Sequence, residues 1–267
     1  MLRYRNLKSI IKTSIRGYNT IIPTSEKGIT KITMNFEPVN LMGKDFIESL
    51  TKSIKEVESD KSINTLILDS SCKVFSGGLN LKEFYGASTE DLQAFWTSFR
   101  ELWITIYKSR LATITSISGH CLAGGCLLAI ATDARIISSN CKIGLNEAAF
   151  GLVVPPWAIK VMFDIVGRRL GEKAVSLGEL YTAEEALSMG LVDIMVATPE
   201  DIDVEVMKEA KKWKAPGRAP TKALVRKEFV EWFLSDEAAD INQFVQLVGN
   251  ERTQGALGAY LQSLTKK

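Results

Sequence analysis

Histidine is almost missing from this chain: His120 is the only one among 267 residues. The four cysteines (Cys72, Cys121, Cys126 and Cys141) show no CxxC spacing and no companion histidines, which argues against a zinc site. In a chain of this length without a secretory signal they read as free thiols in a reducing compartment rather than as a disulfide framework. No apolar run approaches the roughly eighteen residues of a membrane span. The formal net charge is +2, too small to argue for a nucleic-acid partner. Low-complexity segments, long linkers and a fixed sequence period are also absent. No stretch matches the dinucleotide GxGxxG or phosphate-binding GxxxxGK[ST] pattern.

Acidic residues are missing locally as well. None precedes Glu26, whereas Arg3, Arg5, Lys8, Lys12 and Arg16 all fall in the first eighteen positions. Leu7, Ile10, Ile11 and Ile15 recur there at helical spacing, among hydroxyl residues. That is the composition of a mitochondrial transit peptide over residues 1–18, with Arg16-Gly17-Tyr18 as the processing region. A basic terminus without a targeting role is the plainer alternative. Elsewhere the balance is ordinary for a globular protein: 46% apolar and 24% charged, enough for one large domain or two modest ones.

Strand and helix patterns alternate along the chain. Ile29 to Phe36 alternates as a strand does, and Asn64 to Ser70 is a short apolar run suited to a parallel strand buried on both faces. Between them Asn40 to Glu58 is an amphipathic helix, with Asn40 as its expected N-cap. Thr89 to Tyr107 carries Phe95, Trp96, Phe99, Trp103 and Tyr107 at helical spacing, a stripe suited to a core or to the wall of an acyl pocket. Further strands are expected at Ile114 to Ile117, Ala134 to Ser138 and Leu191 to Val196, with a short helix from Gly125 to Thr132. Trp157 to Val166 and Glu172 to Leu180 read as helices separated by Gly167 and Gly171, and Thr182 to Glu185 as a capping box. Asp201 to Lys214, Pro220 to Leu234 and Ala238 to Leu264 are helical. This order predicts an α/β core over residues 19–200 followed by a helical region over 201–267.

Two glycine loops, Gly77-Gly78-Leu79 and Ala123-Gly124-Gly125, each follow a buried strand and precede a helix. Glycine permits sharp turns and close approach to a peptide N–H, and a helix N-terminus adds unpaired donors. Two such donors on one oxygen would form an oxyanion hole; each loop alone also reads as a structural turn. Glu147 is a single acid among Ile143, Leu145, Ala148, Phe150, Leu152 and Val153. Buried there it would become a stronger base through desolvation, and on an exposed turn it would be an ordinary surface carboxylate. Periodicity does not separate these readings. Ser76 has no histidine partner in sequence, His120 reads as a packed loop residue, Asp133 as a cap or ion-pair partner, and Glu83 as solvated or touching ligand.

FSGGLNL at Phe75–Leu81 resembles the first signature loop of the crotonase (enoyl-CoA hydratase/isomerase) superfamily, and SGHCLAGGCLLAIATDARI at Ser118–Ile136 resembles its second. KIGLNEAAFGLVVPPW at Lys142–Trp157 is similar to the Δ3,Δ2-enoyl-CoA isomerase branch. The resemblance implies the crotonase spiral of repeated ββα units, with C-terminal helices that help to form a homotrimer. It implies an acyl-CoA thioester substrate, with coenzyme A part of the substrate and no separate cofactor or metal. The thioester oxygen would be held by the N–H groups of Leu79 and Gly124. Gly77, Gly78, Asn80 and Leu81 would line the thioester path, and Asn146 the acyl chain. Hydratases of the family have two glutamates; here the first position is Leu127 and only the second, Glu147, is an acid. That departure implies an isomerase with Glu147 as sole proton shuttle, in fatty-acid β-oxidation in the mitochondrial matrix. A hydratase, thioesterase or decarboxylase, or a non-catalytic acyl-CoA-binding relative, are the alternatives. Phe150, Val153 and Trp157 would exclude water, and Lys73, Lys82, Lys222 and Lys227 are candidates for the coenzyme A nucleotide.

Replacing Arg3, Arg5, Lys8, Lys12 and Arg16 with neutral residues is expected to abolish mitochondrial import, scored by the localisation of the full chain carrying a fluorescent fusion.

Overall fold

The computed structural model describes residues 19–24 and 26–265, so the basic stretch 1–18 lies outside the described residues. Strand β1 (Asn19–Pro23) pairs antiparallel with β2 (Ile29–Met34), which is followed by α1 (Lys44–Ser59), β3 (Thr65–Ser70), α2 (Thr89–Tyr107) and β4 (Ala112–Ile117). Next come β5 (Cys121–Leu122), α3 (Gly124–Ile130), β6 (Ala134–Ser138) and β7 (Lys142–Gly144). Helices α4 (Pro156–Val166) and α5 (Arg168–Leu177), strand β8 (Tyr181–Thr182), α6 (Ala183–Ser188) and β9 (Ile194–Val196) complete the sheets. The chain then continues as α7 (Ile202–Lys212), α8 (Arg218–Ser235), α9 (Glu237–Gly249) and α10 (Glu251–Thr265).

The main sheet runs β1-β2-β3-β4-β6-β9, parallel from β2 onward, and β5-β7-β8 forms a smaller sheet beside it. Both faces of the main sheet are covered, as parallel strands require. On β3, Leu66 and Leu68 belong to the larger core beneath α1 and α2, while Ile67 faces the opposite cluster with Ile114, Ile136 and Val206 of α7. Helix α7 therefore packs on the sheet, although it falls in the helical region expected after residue 200.

Asn40 is not the N-cap of α1. It sits at φ +48°, fully buried, in the turn before that helix. Its Nδ2 donates to Ser70 Oγ (2.8 Å) and the Phe75 carbonyl (2.9 Å), and its Oδ1 accepts from Phe36 N–H (2.7 Å). It thus ties the end of β3 to the first glycine loop. The N-terminus of α1 is capped instead from a distance: Glu83 Oε2 accepts from Lys44 N–H at 3.0 Å, and Glu83 Oε1 from Asn80 Nδ2 at 3.0 Å. Glu83 is accordingly half-buried and engaged as a cap rather than fully solvated.

Strand β1 has no counterpart in the sequence reading, its alternation being too short to register. Gly171 does not break a helix; it lies within α5, which follows Gly167 directly and crosses closely over the Phe163 ring. Helix α8 begins two residues before Pro220, which the first turn tolerates. The single segment expected from Ala238 to Leu264 is two helices, parted at Asn250 (φ −70°, ψ 150°). The capping box at Thr182 and Glu185 is present in both directions.

Asn40→Ala removes several buried hydrogen bonds and places alanine at positive φ, and is expected to lower unfolding free energy by about 2–4 kcal/mol in urea titration.

Candidate active site

The two glycine loops lie at the carboxyl ends of β3 and β4 and pack backbone against backbone. A Cβ at Gly78 (φ +100°) would lie 3.1 Å from the Ala123 Cβ and 3.4 Å from the Gly124 nitrogen. One at Gly124 would lie 2.8 Å from Met42 Cε and 3.0 Å from Leu79 Cδ2. A side chain at Gly78 would be strained by the positive φ and crowd the second loop, and one at Gly124 would displace the Met42 and Leu79 side chains. Ser76 Oγ donates to the Asn40 carbonyl at 2.8 Å and accepts from Gly78 N–H at 3.1 Å, so this hydroxyl is a brace and not a nucleophile.

The bridge between Met42 and Leu79 orients the first donor. Met42 N–H donates to Gly78 O (2.9 Å) and Asn80 N–H to Met42 O (3.0 Å), so the N–H of Leu79 points away from Met42. It has no hydrogen-bond partner among the described residues. Gly124 opens α3, and its N–H is one of the groups that a helix start leaves unpaired. Ala123, just before it, holds φ +47° and ψ −117°, a backbone state costing on the order of 1–3 kcal/mol for an L-residue. The turn into α3 is therefore sharp enough to present that first peptide.

Leu79 and Gly124 both line a cavity of ≈ 240 Å³, together with Gly77, Asn80, Leu81, Leu127, Asn146 and Glu147. The structure thus brings the sequence-predicted site residues to one space, except Gly78, which supports it from behind. Glu147 heads a short 3₁₀ turn (Glu147–Phe150) held against Gly178, the C-terminal glycine of α5. The residue is half-buried, yet its Oε2 is shielded from solvent and has no hydrogen-bond partner. Burial pushes its carboxyl up to about 7, opposed only by a hydrogen bond from its own backbone. Asn146 Oδ1 is likewise buried and unpartnered. Across the cavity Leu127 is 1% exposed, and its carbonyl accepts from Trp103 Nε1 at 2.8 Å, which fixes the start of α3 on α2.

The rest of the wall joins Trp96 and Phe150, which the sequence marks, to Phe244 and Tyr260, which no local signal marks. Trp96 stacks on Phe244 of α9 with centroids 4.0 Å apart, and Phe150 meets Tyr260 of α10 edge-on at 5.0 Å. All four line the cavity. Asp240, also in the wall, accepts on one oxygen from Trp96 Nε1 (2.7 Å), Trp157 Nε1 (3.3 Å) and Arg100 Nη1. This buried carboxylate pins α9 to α2 and α4. Trp157 supports that network and does not line the cavity; Phe150 and Val153 do.

Of the lysines named above, Lys82 lines the cavity. Lys222 does not: its ammonium is held by Asp133 Oδ2 at 2.7 Å and the Leu111 carbonyl at 3.0 Å. Asp133 also pairs with Arg226 at 2.9 Å, as its reading as an ion-pair partner anticipated. Lys73 is exposed away from the cavity, and Lys227 faces Glu231 on the surface of α8. His120 is exposed rather than packed, with Nδ1 accepting from Lys142 N–H at 3.0 Å. The thiols are protonated spectators: burial raises Cys121 and Cys126 far above their ordinary range, and Cys141 to about 11.

An apolar cleft lined by two residues with unpartnered peptide N–H groups and by a desolvated carboxyl suits enolate chemistry on a carbonyl compound. The chain belongs to the enoyl-CoA hydratase/isomerase family, whose model matches residues 24–261. It is 34% identical to human mitochondrial enoyl-CoA delta isomerase 1 over 92% of this chain and 83% of the human protein. The rat enzyme of the same name is 36% identical over 91% of this chain and 86% of its own length. The crystal structure of human mitochondrial delta3-delta2-enoyl-CoA isomerase superposes with a TM-score of 0.90 at 33% identity, covering 93% of this chain and 98% of that one. The α/β core with its C-terminal helices is the crotonase fold.

Because the carboxyl pKa is raised on folding, the native state binds the extra proton between pH 4.5 and about 7. Its stabilising contribution is complete below 4.5 and is lost as pH rises through about 7. Glu147→Gln should therefore gain stability relative to the parent chain across that interval, with parallel curves outside it, measured by urea unfolding at stepped pH.

Proposed function

We propose that this chain is a Δ3,Δ2-enoyl-CoA isomerase that converts 3-cis- and 3-trans-enoyl-CoA into 2-trans-enoyl-CoA. The observation that carries this reading is the lone, buried, unpartnered Glu147 Oε2 opposite Leu127, in a cavity with two free backbone donors. The names of the human and rat relatives support it.

In this mechanism the thioester oxygen accepts hydrogen bonds from Leu79 N–H and Gly124 N–H. The thioester and the adjacent double bond acidify C2, and Glu147 takes a proton from it. The electron pair delocalises into a dienolate whose negative oxygen stays on the same two donors. Protonated Glu147 then returns the proton at C4, and the double bond settles between C2 and C3. One carboxyl acts as base and then as acid, a task served by a pKa near working pH. Hydration would require a second group to orient water, and Leu127 offers none. The apolar wall of Trp96, Phe150 and Phe244 limits loss of the proton to solvent. Asn146 Oδ1, also unpartnered, is placed to contact the substrate beside the base. Every step uses groups of this chain and the substrate, so the reaction calls for no separate cofactor.

We extend the reading to a homotrimer in the mitochondrial matrix, active in oxidation of unsaturated fatty acids. Support comes from the acid-free basic segment 1–18, the mitochondrial relatives, and exposed apolar side chains on α5 and α8 (Leu170, Leu177, Leu224, Val225) available to neighbouring copies.

With 3-enoyl-CoA, formation of the conjugated thioester should be seen by absorbance, with kcat/KM rising through about pH 7 as Glu147 ionises. Glu147→Gln should lower kcat by about 10³-fold or more with little change in KM. Full activity in that variant would refute the single-base mechanism, and rapid hydration of 2-enoyl-CoA by the parent chain would refute the role given to Leu127.

A further inference from the structure

A second cavity, of ≈ 300 Å³, opens at the other end of the main sheet. It is bounded by the start of β2 (Gly28, Ile29), the start of β3 (Asn64, Thr65) and the turn that leads into α8. The active-site loops leave the opposite ends of these strands, about 20 Å away at 3.3 Å per strand residue. The two cavities share no lining residue.

Four cationic side chains line it, Lys27, Arg110, Lys214 and Arg218, and no carboxylate does. The two guanidiniums are held almost entirely by carbonyl oxygens. Arg110 donates to the carbonyls of Glu58, Asp60 and Ile63 at 2.6–3.1 Å, and Arg218 Nη2 to the carbonyl of Arg110 at 2.6 Å. Carbonyls satisfy hydrogen bonds and fix geometry but bring no net negative charge. Arg218 Nη1 is buried with no partner at all. Lys27 and Lys214 are exposed and have no ion pair among the described residues; the nearby Glu26 is taken by Lys211 at 2.8 Å.

The neighbouring carboxylates hydrogen-bond or ion-pair with other groups, and act on the cluster only through space: Glu26 on Lys214, Asp60 on Arg110 and Asp133 on Arg218. Asp133 is shared by Lys222 and Arg226, and Glu58 accepts from Ser109 Oγ and from the backbone N–H of Arg110. Asp60 is exposed and accepts from Ser62. Burial lowers the Arg218 pKa, with Arg110 adding to that shift and Asp133 opposing it. Two fixed guanidiniums and two exposed ammoniums, none of them ion-paired among the described residues, suit an anion. The start of α8 at Arg218 contributes its dipole in the same sense. Trp213 supplies an apolar flank.

We propose that this basic cavity, formed by Lys27, Arg110, Lys214 and Arg218 beside Trp213, binds a small phosphate-bearing anion of the pyrophosphate or nucleoside-diphosphate class. It is separate from the acyl-CoA site and does not depend on the reaction proposed there.

Calorimetric titration of the full chain with pyrophosphate, adenosine diphosphate and adenosine tests this, with and without a saturating non-reactive acyl-CoA thioether. Saturable binding of pyrophosphate or the diphosphate at one site per chain is expected, with none for adenosine and no displacement by the thioether. The double variant Lys27→Ala/Lys214→Ala, both exposed positions, should weaken that binding about tenfold, the scale of losing two exposed charge contacts, and leave isomerase turnover unchanged. Absence of saturable binding, full displacement by the thioether, or undiminished affinity in the double variant would each overturn the proposal.

Discussion

The close approach of two backbone segments is the constraint on which the rest of this molecule depends. Gly78 meets Ala123 and Gly124 with no room for a side chain between them. That approach is possible because β3 and β4 are adjacent and parallel, so the loops that leave them emerge side by side. Asn40 and Ser76 fasten the first loop from within, through buried hydrogen bonds that no solvent competes for. Ala123 absorbs the strain of the second. The result is a pair of backbone segments, at Leu79 and Gly124, that border one cavity with N–H groups unpartnered among the described residues.

Against those donors the fold sets a carboxyl that it destabilises. Glu147 Oε2 is shielded from solvent and has no hydrogen-bond partner among the described residues, and its raised pKa is the electrostatic signature of that position. Elsewhere buried charge is compensated with care. Asp240 gathers Trp96, Trp157 and Arg100 on one oxygen, and Asp133 gathers Lys222 and Arg226. The contrast is informative: paired carboxylates brace helices, and the unpaired one faces the cavity. The same reasoning, with the sign reversed, distinguishes the cationic cavity beneath the sheet.

Much of the architecture was legible in local pattern. The run from Asn64 to Ser70 read as a strand buried on both faces because of its apolar centre Leu66, Ile67 and Leu68, and α2 was evident from its aromatic stripe. The glycine loops and Glu147 could be singled out by residue type, and Leu127 gained meaning from its family resemblance. What local pattern did not convey was partnership. Asn40 looked like a cap because helix caps favour asparagine, yet its side chain is used across the chain. Glu83 looked solvated, but it caps a helix that starts far from it in sequence. Lys222 was a candidate for the coenzyme A nucleotide, but the fold commits it to Asp133. The cavity wall from Asp240, Phe244 and Tyr260 carried no signal, because an amphipathic helix does not state which surface its apolar face will meet.

The sequence by itself determined the order of the parallel strands of the main sheet and of the helices between them, the positions where backbone could turn sharply, and the presence of a single acid in an apolar segment. These follow from side-chain volume, periodicity and backbone freedom, which act over a few residues. Only the tertiary structure decided that Glu147 Oε2 is desolvated, that Leu79 and Gly124 line one cavity, and that four cations meet with no ion-paired carboxylate among the described residues. Desolvation and convergence are properties of what surrounds a group, and those surroundings come from segments distant in the chain.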